Sequence, residues 1–164
     1  MQQNNPIMSY HTSKKLPYGV SNFITIVEQN NYYVDKTMYI PMLEDEASNL
    51  FFIRPRRFGK SLFLGMLHAY YDCRTKDKFE QWFGKLWIGQ HPTPNQGRYQ
   101  VLHLDFSQVG GKIENLEENF NFYLGINLDG FVRDYAEYYS EETRKKVYET
   151  TYAGGKLAII QNEA

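Results

Sequence analysis

An α/β fold, with a parallel sheet flanked by helices, is the architecture this sequence predicts. Three observations carry that expectation. Leu50-Phe51-Phe52-Ile53 is an apolar run of strand length that passes through a basic loop into Gly59-Lys60-Ser61 and then a helix-compatible stretch over 61–72. Tyr99-Gln100-Val101-Leu102-His103-Leu104-Asp105-Phe106 is a second strand-like run. Between and after these runs, apolar residues recur at steps of three and four, the spacing of helices that cover a sheet.

The segment 54–61 is the one most informative about chemistry. A strand, a tight loop ending Gly-Lys-Ser and a helix form the layout of a phosphate-binding loop of the Walker A type. The first N–H groups of a helix have no intrahelical acceptor and sit at the positive end of its dipole, so they favour a polyphosphate. Gly59 lets the backbone turn and approach the ligand closely. Lys60 reaches the β- and γ-phosphates and is the candidate catalytic residue, while the Ser61 hydroxyl is the candidate Mg²⁺ ligand. Arg56, Arg57, Phe58, Gly59, Lys60, Ser61 and Leu62 are the candidate nucleotide-binding residues, with ATP and Mg²⁺ as cofactors. The template G-x-x-x-x-G-K-[ST] is met incompletely, because Arg54 stands at its first glycine. A basic surface loop capping a buried helix is the competing reading of the same residues.

The string Arg54-Pro55-Arg56-Arg57-Phe58-Gly59-Lys60-Ser61-Leu62 resembles the signature of the predicted AAA-ATPase-like family of bacterial proteins. Leu16-Pro17-Tyr18-Gly19-Val20-Ser21-Asn22-Phe23 and Tyr33-Val34-Asp35-Lys36-Thr37 resemble that family's other N-terminal signatures, in the same order. The resemblance covers roughly 16 to 72 and continues more weakly through Leu104-Asp105-Phe106-Ser107. It implies a P-loop NTPase-like fold, and in this family a loop that begins with arginine is usual. It also implies that the segment before the phosphate loop packs against adenine and ribose, which makes Tyr33, Val34 and Lys36 candidates for that contact. With 164 residues the chain is short for a complete AAA-type module. Residues 1–15 read as a flexible N-terminus, and 16–164 as the N-terminal portion of such a domain. The remaining C-terminal part, with the Walker B strand, is expected beyond the chain end. A C-terminal nuclease-like domain, common in the family, would be the route to any nucleic-acid partner.

Composition excludes several classes. A formal charge of −1 gives no general attraction to nucleic acid or to an anionic membrane. The positive charge is local, with Arg54, Arg56, Arg57 and Lys60 close together, and beside a phosphate loop it reads as an anion site. The single cysteine, Cys73, cannot form an internal disulfide and reads as a partly buried helix-end residue. No charged leader, and no apolar run of spanning length, is visible, so a cytoplasmic protein without a membrane is expected. The 14 tyrosines and 11 phenylalanines are spread along the chain, which suggests core and partner-facing surface more than a platform for stacking bases.

In chain order, Ser21 is the expected cap of a short helix carrying Phe23, Ile24 and Val27, and Gln29-Asn30-Asn31 ends it. Tyr32-Tyr33-Val34 is extended, and Asp35 or Thr37 caps a helix over 37–46. Asp72 ends the helix that follows the loop. Helical spacing continues from Lys76 to Trp87 through Phe79, Trp82, Phe83 and Leu86, and 91–97 is a loop. A long amphipathic helix runs through Leu116, Phe120, Tyr123, Leu124, Leu128, Phe131, Tyr135 and Tyr138, with Gly125 or Gly130 as points of bending. Ser140 caps a helix over 141–150, and Gly154-Gly155 separates it from a helix-like stretch over 156–164.

Asp105 follows an apolar run and so imitates a Mg²⁺-organising Walker B aspartate. His103 interrupts that run, and Phe106 stands where a glutamate base belongs, so Asp105 reads as a strand-end acid instead. Nothing around His103 composes a metal set. The expected function is therefore an ATP-binding module with little or no hydrolysis by this chain alone. The alternative is a non-hydrolysing nucleotide sensor or protein-interaction module with a relic loop. An unfinished sheet would also expose an edge, which suggests self-association.

Overall fold

The structure, a computed structural model, describes residues 14–46 and 49–152. Residues 1–13, the Gly154-Gly155 break and the stretch 156–164 lie outside the described residues. The chain divides into two compact units, Met1–Tyr99 and Gln100–Ala164.

In the first unit the elements are short and held by capping and aromatic packing. Helix α1 is Phe23–Glu28, capped by Asn22, whose Oδ1 accepts the Thr25 N–H at 3.0 Å. Ser21, one residue earlier, does not take that role. Helix α2, Ile40–Asp45, follows a 3-10 turn over Thr37–Tyr39. Helix α3, Lys60–Tyr71, is the longest in this unit and leads through a 3-10 segment, Cys73–Lys78, to α4, Phe79–Phe83. Cys73 is partly buried where α3 ends, as expected. The stretch expected as one helix over 76–87 breaks at Gly84, and a separate helix α5 forms at Trp87–Gln90. Glycine is also required within α5, because a Cβ at Gly89 would run into the Phe83 carbonyl.

The core is aromatic. Phe23 stacks on Phe83 at 5.1 Å between ring centroids, and Tyr70 meets Phe83 edge-on at 5.6 Å. Met66, Ile40 and Ile88 fill the space around these rings and are fully buried. One carboxylate ties three pieces of this unit together. Asp35 Oδ1 accepts from the Thr37 N–H at 2.8 Å and the Thr37 hydroxyl at 2.7 Å, and its Oδ2 accepts from the Trp87 N–H at 2.7 Å. Thr37 Oγ1 then accepts the Ile88 N–H at 3.1 Å. Asp35 thus satisfies orphan donors at the start of two elements that are distant in sequence.

No strand and no sheet form among the described residues, so the parallel-sheet α/β expectation, with its P-loop NTPase-like sheet flanked by helices, is overturned. Pairing decides strand formation, and apolar content alone does not. Tyr99 is extended, yet its N–H donates to the Tyr71 carbonyl at 2.9 Å and its carbonyl accepts from the Cys73 N–H at 2.9 Å. The second apolar run is therefore tied at its start to the end of α3, in an isolated bridge between Asp72 and Tyr99, and never meets the first run in a ladder. Leu50-Phe51-Phe52-Ile53 is left open, with Phe51 90% and Ile53 86% exposed. Helix α3 fits this outcome. It buries Phe63, Met66, Ala69 and Tyr70 on one side, whereas Ser61 and Leu64 are exposed, so it is covered on one face and not sandwiched.

The second unit is a helical hairpin. Helix α6, Leu116–Asp134, is continuous through both glycines, and α7 is Glu141–Tyr152, begun by Ser140 Oγ accepting the Thr143 N–H at 3.1 Å. Gly125 serves close approach: a Cβ there would lie 2.9 Å from Thr151 Cγ2, and the Thr151 hydroxyl donates to the Gly125 carbonyl at 3.1 Å. Residues 100–105 are extended and anchored within this unit by tyrosine hydroxyls. Tyr135 Oη accepts the Val101 N–H at 2.8 Å, and Tyr123 Oη accepts the Asp105 N–H at 2.6 Å.

Removing the Asp35 carboxylate leaves three donor groups without their acceptor. Asp35→Ala is expected to lower the unfolding free energy by about 2–4 kcal/mol in urea titrations followed by tryptophan fluorescence. A change below about 0.5 kcal/mol, the size typical of an uninvolved surface position, would show that the three pieces are held by packing alone.

Candidate functional site

The loop over 54–61 joins the open apolar run to α3, and its backbone is unusual at two positions. Gly59 is the N-cap of α3 in the left-handed region, at φ 74° and ψ 20°. Arg57 is also left-handed, at φ 66°, and shares that sign among described non-glycine residues with Asn30 alone. Phe58 and Lys60 keep negative φ, so the sign alternates along 57–60. This loop runs directly into the N-terminus of a twelve-residue helix, whose first N–H groups have no intrahelical acceptor.

Lys60 lies in the first turn of α3, and its ammonium folds back over the loop. Nζ donates to the Arg54 carbonyl at 2.7 Å and to the Pro55 carbonyl at 2.9 Å. Those bonds close the loop on itself. Arg54 places its guanidinium over the Phe52 ring at 5.8 Å, and Phe52 stacks on Phe63 of α3 at 5.0 Å. Arg56 and Arg57 are exposed, and no carboxylate pairs with either among the described residues. Ser61 is exposed at the helix start, and Leu62 is partly buried beside it. The candidate residues Arg56 through Leu62 thus form one continuous surface.

A cavity of about 370 Å³ opens beside this loop. Its lining includes Phe58, Gly59 and Leu62 on one side and Tyr33, Val34 and Lys36 on the other. The three residues singled out through the family resemblance therefore share one cavity with the loop. The volume falls within the roughly 300–1,000 Å³ typical of small-molecule sites. Asp35 fixes the far wall: its carboxylate is engaged in capping, while its neighbours on both sides line the cavity. Both readings of this segment thus fit together, with Asp35 structural and Tyr33, Val34 and Lys36 facing the space. Sequence reasoning missed Val20 and Tyr32, which also line the cavity, and the left-handed conformation of Arg57. Arginine gives no local signal for positive φ, so that conformation could not be read ahead of the structure.

Burial, reinforced by the nearby Asp35 charge, raises the Tyr33 phenol well above its ordinary value, against the smaller opposing effect of the Lys36 backbone N–H. Tyr71 is raised likewise by burial and by donating to Glu44 Oε1 at 3.0 Å. Asp105 is exposed in the second unit, where its Oδ1 accepts the Ser107 N–H at 3.0 Å and caps a 3-10 turn over Phe106–Gln108. Among the described residues no cluster of His, Cys, Asp or Glu is arranged to hold a metal ion. No helix among them is long and apolar enough to cross a membrane.

The sequence profile of the family described as Predicted AAA-ATPase matches residues 17–162. The chain belongs to that AAA-ATPase-like family. It is also similar to an "Uncharacterized protein in vnfD 5'region" of Azotobacter chroococcum mcd 1, at 51% identity over 111 residues. That alignment covers 64% of this chain and 19% of the relative, so the chain spans about a fifth of that protein's length. No solved structure matches the chain.

The two raised phenols give a pH dependence with a definite sign. The folded state holds these protons to higher pH than the unfolded state, whose tyrosines titrate near 10.0. Their contribution is constant below that pH and is lost as pH rises above it. Phenolate absorbance should therefore show a late-titrating fraction that Tyr33→Phe and Tyr71→Phe each reduce. Titration of every tyrosine near pH 10 in the folded protein would contradict the burial of both groups.

Proposed function

We propose that the chain is a nucleotide-binding module that takes Mg²⁺-ATP, with the phosphates on the loop over 54–61 and the base in the adjoining cavity. The observation that carries this reading is the placement of Gly59 and the cavity: one left-handed glycine ends the basic loop, opens α3 and lines the apolar space. A polyphosphate on the loop N–H groups and a base on that apolar lining lie within one ligand's length. Membership of a family described as Predicted AAA-ATPase supports ATP as that ligand.

In this reading the backbone N–H groups of 57–61 hold the phosphate oxygens, aided by the helix dipole. Lys60 exchanges its two carbonyl acceptors for phosphate oxygens, a step that costs little because one charge-assisted set of bonds replaces another. Ser61 supplies a hydroxyl at the helix start where a phosphate-bound Mg²⁺ would sit. The ion would neutralise charge between the phosphates when bound. Tyr33, Val34 and Leu62 offer apolar surface to the base, and Lys36 is placed to meet the ribose or phosphate edge.

Binding and hydrolysis are separable in this arrangement. Hydrolysis needs a residue to orient the attacking water and an acid to organise the metal shell. Asp105, the one acid at a strand-like end that could suggest such a role, is occupied in capping its own turn. The chain by itself is therefore assigned binding with little turnover.

Isothermal titration of this chain with Mg²⁺-ATP is expected to show saturable binding that Lys60→Ala weakens by tenfold or more, since hydrogen bonds to charged groups are worth about 1.5–3 kcal/mol. Equal affinity in both proteins would remove Lys60 from the site. Photolabelling with an azido-adenine analogue of ATP should mark peptides within 17–36 or 58–63, and label confined to other segments would exclude the cavity as the base site.

A further inference from the structure

We infer that Tyr32 and Phe58 form an aromatic clamp that holds the base of the bound nucleotide between their rings. The inference rests on the nucleotide reading above and names the side chains that recognise the base within it.

The first observation is where the two rings stand. Both line the cavity, Tyr32 from the wall built by the segment 32–36 and Phe58 from the loop that leads into α3. Side chains alternate along an extended segment, and here the alternation is plain. Tyr33 packs edge-on against Phe23 at 5.4 Å, whereas Tyr32, Val34 and Lys36 are exposed and line the cavity. Phe58 immediately precedes Gly59, so a base lying on its ring stays within one nucleotide's reach of the loop.

The second observation is that neither ring has a ring to meet. Tyr32 is 52% and Phe58 63% exposed. Other rings of this unit engage one another: Phe23 with Tyr33 and Phe83, Tyr70 with Tyr71, and Phe52 with Phe63. Tyr32 and Phe58 make no such contact among the described residues. A single exposed aromatic is ordinary on a protein surface, but two that converge on one cavity are not. A flat π system placed there completes the ring packing that each one lacks.

The third is the chemistry of the lining. Among the described residues that line the cavity there is no carboxylate, no side-chain amide and no aliphatic hydroxyl. Reading the edge of a base takes paired donors and acceptors, and this wall offers few of them. The face of a base needs only aromatic and apolar surface, which is what the lining supplies.

The test compares Mg²⁺-ATP with Mg²⁺-tripolyphosphate, which carries the phosphates and no base. Both are titrated into the unsubstituted chain, Tyr32→Ala, Phe58→Ala, Tyr32→Phe, Phe58→Trp and Lys60→Ala. Each alanine variant at the clamp should raise the Kd for ATP at least about fivefold and leave that for tripolyphosphate within about twofold. Tyr32→Phe and Phe58→Trp keep a ring and should keep the affinity for ATP. The indole added by Phe58→Trp should in addition be quenched by ATP and not by tripolyphosphate, which keeps the test decisive if an alanine variant folds poorly. Unchanged ATP affinity in either alanine variant, equal losses for ATP and tripolyphosphate, or an added indole emission indifferent to ATP would overturn the inference. If Lys60→Ala loses ATP while both alanine variants at the clamp keep it, the nucleotide reading stands and this inference alone falls. No ATP binding by the unsubstituted chain would sink both.

Discussion

Asp35 holds the first unit in its working shape. Its two carboxylate oxygens take donors from the 3-10 turn that precedes α2 and from the first residue of α5. That junction, together with the edge-on contact of Tyr33 with Phe23 at 5.4 Å, fixes the segment containing Tyr33, Val34 and Lys36 against the body of the unit. Those three residues form one wall of the cavity, and the loop before α3 forms the other. The capping acid therefore stands one step behind the candidate site: it is absent from the cavity lining, yet it anchors the segment whose residues line it.

The remainder of the unit follows from short helices that cannot stabilise themselves. Helices of four to six residues, such as α1, α2, α4 and α5, gain little from their own hydrogen bonds. They persist because rings from several of them meet in one aromatic cluster around Phe23, Tyr70 and Phe83, and because their ends are satisfied by side chains. Buried Asp72 closes α3 in the same way, pairing with Arg74 at 2.8 Å and capping the segment that follows. A rigid α3 matters for the site, since its first turn carries Lys60, Ser61 and Leu62.

Much of this was legible in the sequence. Apolar spacing marked most of the helices, while their ends were less legible: Asn22 and not Ser21 caps α1, and the stretch over 76–87 breaks at Gly84. Phe79, Trp82 and Phe83 pack in the core and Ser140 begins α7 as its hydroxyl chemistry suggests, whereas α6 runs unbroken past both glycines and ends at Asp134, short of Tyr138. The loop and the segment 33–37 were both recognisable, and the structure brings them to one cavity. The sheet was misread because Leu50-Phe51-Phe52-Ile53 and the run from Tyr99 have strand composition, and composition carries no information about partners. Tyr99 spends its backbone groups on the end of α3, and the first run faces outward. Gly125 was misjudged for a related reason: a glycine in a helix reads as a weak point until the side chain packed against it, here Thr151, is known.

The central claim, that the backbone amides from Arg57 to Ser61 are the phosphate site, is tested most directly by amide hydrogen exchange with and without Mg²⁺-ATP. The expected result is new protection at those amides and at 32–36, with little change in α6 and α7. Unaltered exchange across 57–61 at saturating nucleotide would contradict it, since a phosphate bound there must occupy those N–H groups.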